Sequence, residues 1–413
     1  MQSAVVLRSV PMITFGQRFW LIGALSLAPA VSNSFARFAY ALLLPAMRTE
    51  LGLNYSQAGA LNTANSLGYL AGALLAARYV ARLGNAPLFR AGMIVTVLAI
   101  VGCGLTDSFT AQLVLRTMSG AGGAVVFICG AVLASNVFPE RPALSSTAIA
   151  VYFGGAGAGI LLTGAGVPWL LALRGDAAWR EAWLAIGAVS AVFAVLGIRA
   201  AGRIAEPSRP TDRSEWPLRL FRPALGSYFL FGAGYIAYMT FVVAWMVSHG
   251  SSARDVALTW GTLGLATMAA PVLWRVPRAR WHPARTLAAA GVVIAIGAAI
   301  PLFATSRVSM LMSALFFGCG MFTAPSAVTD LAKTALPAAA RGSAVAVFTV
   351  IFAVGQAVGP LVSGWLADLT HSLDWTLAAS VAILLAASAT ALLQAPLRIA
   401  TEASARAVRS TRA

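Results

Sequence analysis

The stretch FWLIGALSLAPAVSNSFARFAYALLLPA, residues 19–46, decides the fold. It runs for 28 residues with one formal charge, Arg37. A bilayer core is roughly 30 Å thick, so a spanning helix needs about 20 apolar residues. Arg18, the apolar run and Ala28-Pro29-Ala30 also resemble a signal peptide and its cleavage site. That reading fails because apolar character resumes after Ser34 and runs to Met47, too long for a signal. The repeat described below also requires this helix.

Working outward, about seven-tenths of the chain divides into twelve such stretches. They are 19–46, 57–79, 88–106, 110–137, 144–172, 178–199, 223–248, 256–275, 284–304, 308–334, 341–368 and 374–395. Hydrophobic residues make up 59% of the 413 residues and charged ones 10%, against about 25% charged in soluble proteins. A water-soluble fold of this length cannot hide that much apolar surface. The exception among the short connections is 200–222, with Arg203, Glu206, Arg209, Asp212, Arg213, Glu215, Arg219, Arg222 and three prolines. It reads as a linker between two six-helix halves. The expected organisation is an N-terminal arm 1–18, a bundle 19–199, the linker 200–222, a bundle 223–395 and a basic tail 396–413.

The halves match each other without gaps. A shift of 198 residues places Ala39-Tyr40 on Ala237-Tyr238, Arg82 on Arg280, Gly120 on Gly318 and Gly122 on Gly320. It also places Pro139 on Pro337, Ser145 on Ser343, Gly157 on Gly355, Gly166 on Gly364 and Asp176 on Asp374. The expected fold class is therefore an all-α membrane protein. Its twelve transmembrane helices form two six-helix bundles in a parallel pseudo-twofold repeat.

The net charge of +16 comes from 28 Arg and one Lys, Lys333, against 13 acids. In a soluble protein that would suggest nucleic acid. Here it reports orientation, because cytoplasmic loops collect Lys and Arg. With the N-terminus inside, cytoplasmic segments hold 22 of the 29 cations, outside loops five, and the helices two, Arg37 and Arg116. Both termini are expected in the cytoplasm. The tail, with Arg398, Arg406, Arg409 and Arg412, is expected on anionic headgroups rather than on nucleic acid.

Several motifs resemble the major facilitator superfamily. Arg116-Thr-Met-Ser-Gly120-Ala-Gly-Gly123 is similar to its Arg-x-x-x-Gly pattern. Gly355-Gln-Ala-Val-Gly359-Pro360 and Gly364-Trp-Leu-Ala-Asp368 resemble its eleventh helix. The loop after the second span keeps Arg82-Leu-Gly84 of the Gly-x-x-x-Asp-Arg-x-Gly motif but has Ala81 and Ala77 at its acidic and first glycine positions. Arg37-Phe-Ala-Tyr40, Gly68-Tyr69 and Gly234-Tyr-Ile-Ala-Tyr238 resemble the YbfB/YjiJ-like bacterial subgroup. The resemblance implies a transporter of the bacterial inner membrane in which helices 1, 4, 7 and 10 line a central cavity between rocking halves. It also implies a proton gradient as the driving force and a monomer as the working unit.

Arg37 is the sharpest candidate. A charge at mid-helix costs about 2.5 kcal/mol or more on insertion scales, so it must meet water or a partner. Asn33, Arg37 and Tyr40 fall at i, i+4 and i+7, one face of a regular helix. A guanidinium presents a fork suited to carboxylate or phosphate, although an Arg can also hold helix carbonyls. Arg116 is expected at a similar depth, either adding to an electropositive floor or stapling helix 4. Asn62, Asn65 and Tyr69 share a face of helix 2, Tyr228, Tyr235 and Tyr238 lie near one face of helix 7, and Gln356 sits in helix 11. These are expected to line the cavity or to join helices. Asp330 and Lys333 are spaced as an i, i+3 pair, read as a surface ion pair, a proton site or a gate. Glycines in helices 5 and 11 allow close helix approach, and Pro360 permits a bend. The Gly-Pro signature of drug antiporters is absent from helix 5.

No Gly-x-x-x-x-Gly-Lys-Ser/Thr loop occurs, so ATP is not expected to drive transport. Cys103, Cys129 and Cys319 lack metal-site spacing, and His249, His282 and His371 form no cluster. No metal, cofactor or enzymatic activity is expected. The sequence thus points to a secondary transporter of a small organic solute, with an organic anion as the leading substrate class. The alternatives are a proton-coupled multidrug exporter and a non-transporting sensor with the same fold.

Overall fold

The structure is a computed structural model that describes residues 15–206 and 216–397. Most of the expected arm, part of the linker and nearly all of the basic tail lie outside the described residues. Helices account for nearly all the rest, and no strand occurs among the described residues. In chain order they are α1 (Phe15–Leu51), α2 (Tyr55–Leu83), α3 (Asn85–Cys103), α4 (Phe109–Ser135), α5 (Pro142–Arg174) and α6 (Trp179–Ala201). After the linker come α7 (Arg222–Ser248), α8 (Ala253–Arg280), α9 (Pro283–Phe303), α10 (Arg307–Ala335), α11 (Ala338–Thr370) and α12 (Leu373–Leu392).

Eleven of these are long and apolar enough to cross a membrane. The exception is α2, which the sequence reading counted as an apolar span. It is 29 residues long, but Ser56, Gln57, Asn62, Thr63, Asn65, Ser66, Arg78 and Arg82 lower its apolar character. The polar residues of its first half meet other helices, as described below. Two other spans are broken. Phe322 interrupts α10 between Met321 and Thr323, and Trp274 separates the main part of α8 from a short turn at Arg275–Arg280.

The termini of the helices explain the short connections. Gly52 ends α1 in the left-handed region at φ +63°, donating back to the Arg48 and Thr49 carbonyls, a conformation glycine adopts without steric cost. Two residues on, Asn54 starts α2 through a capping box with Gln57. Ser252 and Asp255 do the same for α8. On the linker side, Glu206 accepts from the Ala86 amide at 2.7 Å and the Asn85 side chain at 3.0 Å, tying the linker to the start of α3. Arg18 pairs with Glu140 near the same end. That carboxyl lies below its usual range because of its own backbone N–H and then Arg18.

Helix neighbours repeat. In the first half α2 packs on α4, α3 on α4 and α6, and α1 on α5 and α6. In the second half α8 packs on α10, α9 on α10 and α12, and α7 on α11 and α12. Three seams join the halves: α2 with α11, α5 with α8, and the last part of α1 with α7. The most apolar windows of α7 and α1 are 89% and 72% buried, whereas those of α3, α6 and α12 are 39% buried, which places the former at the centre. On the outside, Leu98, Leu173, Val192, Phe303 and Trp375 stand exposed, as expected for a surface facing acyl chains.

Glycine sets the closest approach at two seams. A Cβ on Gly120 of α4 would run into the Asn65 carbonyl of α2, and one on Gly364 of α11 would run into the Tyr55 carbonyl. Small residues thus let these backbones touch, as in other helix pairs within lipid.

Candidate functional site

The site begins with a distortion of α1. Residues Ala30–Phe38 form a π-helix inside the longer α-helix. Such bulges are rare and recur at functional sites. A wider turn redirects side chains, so the expected common face of Asn33, Arg37 and Tyr40 does not hold. The Arg37 guanidinium donates to Ser66 Oγ of α2 at 2.9 Å and lies 5.4 Å from the Tyr69 ring. Tyr40 instead turns toward the start of α2 and donates to the Ala58 carbonyl at 2.8 Å. Asn33 is buried beside Ser32, 3.4 Å away.

Arg116 is fully buried. It donates to the Ala36 carbonyl at 2.5 Å and to Asn62 Oδ1 at 3.3 Å, and lies 4.7 Å from the Tyr40 ring and 5.7 Å from that of Trp183. The guanidinium therefore ties α4 to α1 and α2 while adding charge to the same region. Neither Arg37 nor Arg116 forms an ion pair with a carboxylate among the described residues. The Nε atoms of both are buried without a hydrogen-bond partner.

Asn62 carries the link across the halves. Its Oδ1 accepts from Arg116, and its Nδ2 donates to Thr240 of α7 at 2.5 Å. Asn65 does something else: its amide donates to the carbonyls of Ala36 and Arg116 and to Ser119 Oγ, at 3.3, 3.2 and 2.9 Å. Those bonds fasten α2 to α1 and α4. In the second half, Gln356 Nε2 donates to the Tyr235 hydroxyl at 2.6 Å, and its Oε1 is buried without a partner. Tyr238 faces α10, with its hydroxyl 2.6 Å from Ser313 Oγ and its ring stacked on Phe317 at 4.4 Å. Around Tyr235 the rings of Tyr228, Phe231 and Phe352 lie within about 25° of parallel, the closest pair being Tyr228 and Phe352 at 4.5 Å.

The Asp330–Lys333 pair does not form. Asp330 binds Arg278, at the end of α8, at 2.8 Å, and Lys333 is exposed. A partner distant in sequence thus wins over the one a single turn away.

One residue outside the predicted site closes the end where α1 passes into α2. Asp368, near the end of α11, accepts from the backbone amides of Tyr55 and Ser56 at 2.9 and 2.8 Å and from Ser56 Oγ at 2.5 Å. The Arg48 guanidinium lies 4.1 Å from the Tyr55 ring, which meets Phe241 edge-on at 6.2 Å. Two turns deeper, Thr63 donates to the Ala357 carbonyl at 2.7 Å. Asp368 stood in the quoted Gly364-Trp-Leu-Ala-Asp368 motif, but nothing in a lone sequence says that it caps α2. Ser66 and Thr240 were likewise unmarked among many serines and threonines.

A family model described as the uncharacterised MFS-type transporter YbfB matches residues 30–392. The chain belongs to this family of membrane transporters. Its relatives by fold are transporters too. A bacterial homologue of the human lysosomal transporter Spinster, inward-facing and unoccupied, superimposes with a TM-score of 0.69 at 17% identity, covering 92% of this chain and 97% of that one. The occupied inward-facing form gives 0.72 at 18%, covering 91% and 96%. An aspartate-to-alanine variant of the nucleoside transporter NupG gives 0.71 at 11%, covering 92% and 100%. At these identities the likeness concerns the fold. Comparison with curated proteins gave no match. As a YbfB-family transporter, the chain is a multi-pass membrane protein and not an enzyme.

Proposed function

We propose that this transporter moves a small organic anion across the bacterial cytoplasmic membrane by alternating access. All twelve helices cross, as two six-helix bundles, 19–199 and 223–395, related by a pseudo-twofold axis along the membrane normal. The matching neighbour lists of α1–α6 and α7–α12 support this. The basic loops argue for both termini in the cytoplasm. The end sealed by Asp368 then faces outward, and this conformation is the inward-facing one. The protein works as a monomer.

The observation that carries the substrate class is the pair of buried guanidiniums that meet no carboxylate among the described residues. A buried unpaired charge is costly, and an anion entering the site offsets that cost. Arg37 makes one side-chain hydrogen bond and Arg116 two. Arg37 is therefore the principal anion ligand, and Arg116 reinforces its field while holding the helices. Among the described residues no acid pairs with them, so the coupled proton is carried elsewhere than at the anion-binding guanidiniums. Asp330, paired with Arg278 inside the second half, braces the cytoplasmic ends of α10 and α8.

Export of lipophilic cations draws support from the parallel rings, but two uncompensated guanidiniums repel a cation. The test is flux of radiolabelled organic acids into proteoliposomes under an imposed pH gradient. Arg37→Gln is expected to lower uptake at least tenfold with normal insertion. Full uptake by that variant refutes the anion site. Absence of any flux with the wild type points to a sensor.

A further inference from the structure

Two buried side chains, Arg37 and Gln356, each keep one polar atom without a hydrogen-bond partner. Arg37 is 4% exposed and its Nε has no partner. Gln356 is fully buried, and only one end of its amide is bonded, to the Tyr235 hydroxyl. With either orientation of the amide, one end meets the Tyr235 hydroxyl and the other is left free. Thr63 of α2 donates to the Ala357 carbonyl, next to Gln356, and Ser66, three residues further along α2, accepts from Arg37. A shift of 198 residues places Arg37 on Tyr235 and Tyr40 on Tyr238. The halves thus put unlike chemistry at equivalent positions, a cation in the first and an aromatic ring beside an amide in the second.

The backbones of α7 and α11 touch on either side of this amide. A Cβ on Gly355 would run into the Phe229 carbonyl, and one on Gly359 into the Ala233 carbonyl. These glycines hold α11 against α7 on both sides of Gln356. A buried polar atom left without a hydrogen bond is costly, so the free amide end favours any ligand that brings a donor or acceptor. The ring of Tyr235 lies 5.7 Å from Phe352 at 7° and 5.7 Å from Phe231 at 17°. Parallel rings favour a flat ligand, since aromatic groups gain from offset stacking.

We propose that the substrate is a planar, aromatic-type carboxylate that also carries a hydroxyl. Its carboxylate binds the Arg37 fork, its ring lies along the Tyr235–Phe352 rings, and its hydroxyl bonds the free end of the Gln356 amide. Gln356 is then a specificity residue. This rests on the anion reading and adds the second handle. Because one handle belongs to each half, a ligand with both bridges the halves, and a ligand with one does not.

The test uses purified full-length protein in detergent and two probe pairs, benzoate with 4-hydroxybenzoate and benzoate with 3-hydroxybenzoate, read by calorimetry. A site that bonds a hydroxyl rejects the analogue lacking it. The wild type is expected to bind at least one hydroxylated probe tenfold or more tightly than benzoate. Gln356→Leu should bring that ratio to about one, with a monodisperse elution profile and cooperative thermal unfolding showing that the variant is folded. Gln356→Met is a second variant of similar length. Arg37→Gln should abolish binding of all probes. A ratio unchanged in both Gln356 variants, with Arg37→Gln inactive, overturns the hydroxyl handle and leaves the anion site standing. Arg37→Gln that binds like the wild type overturns both. Wild-type protein that binds none of the probes overturns the substrate class.

Discussion

Replacing Asp368 with Ala should unlatch the end of the molecule at which α1 meets α2. The carboxylate accepts three hydrogen bonds from Tyr55 and Ser56, across the seam between the halves. It sits at the N-terminus of α2, where a negative charge is favourable. Net hydrogen-bond contributions run about 0.5–1.5 kcal/mol each, so three amount to ~3 kcal/mol. Asp368 is partly exposed, and no larger value is warranted. If the bonds exist only while this end is closed, their loss shifts the open-to-closed ratio by roughly 100-fold, at about 1.4 kcal/mol per decade. Spin labels at Glu50 and Ser248, in a variant without native cysteines, report this directly. These positions lie at the end of α1 and the end of α7. Asp368→Ala should add a longer distance to the distribution, and Asp368→Asn, which keeps one acceptor oxygen, should do so more weakly. Identical distributions in wild type and Asp368→Ala, with both folded, refute the latch.

Two further substitutions separate structure from transport. Arg116→Ala leaves Asn62 Oδ1 without its donor inside the bundle and removes one of two donors from the Ala36 carbonyl, which Asn65 still reaches, and should lower stability by about 1–3 kcal/mol. Thermal unfolding in detergent checks this, and Arg116→Lys is expected not to restore it, because one ammonium cannot reproduce the fork. Gly120→Val should abolish the folded protein, since its Cβ meets the Asn65 backbone, which cannot move aside as a flexible side chain could. Normal yield and a monodisperse elution profile for that variant would contradict the close α2–α4 seam.

Much of the architecture was legible because lipid imposes a length and a composition on each span. Even so, α2 escapes the apolar rule. Its polar residues are matched by partners on α1, α4, α7 and α11, which composition cannot see. The break at Phe322 carries no proline or glycine at its own position to announce it. Site residues were legible as types and less so as geometry. Arg37 stood out because a mid-span charge is expensive. Its relation to Asn33 and Tyr40 was misjudged because a period of 3.6 does not apply inside a π-helix. Asn65 was an amide among apolar residues, and only its three bonds to α1 and α4 show that it fastens helices. Asp330 found Arg278 because α8 and α10 are neighbours in space, a fact of packing and not of spacing.

The arrangement also explains why one half could not do the work of the other. Arg37 and Arg116 belong to α1 and α4, and the 198-residue shift finds Tyr235 and Ala314 in their places. A symmetric pair of cationic halves would repel across the seam whenever they approached. With charge on one side and rings with an amide on the other, the halves can close at one end without that repulsion, held there by Asn62 to Thr240 and by Asp368 to α2. The same asymmetry makes occupancy matter. An empty site leaves the Nε of Arg37 and one end of Gln356 unsatisfied on opposite sides of the seam. A ligand that satisfies both lowers the energy of any state in which the halves enclose it. Alternating access needs such an occluded state to be reachable with substrate bound. On the proposed mechanism Asp368 latches one end across the seam, so an enclosed ligand leaves at the other end until that latch opens.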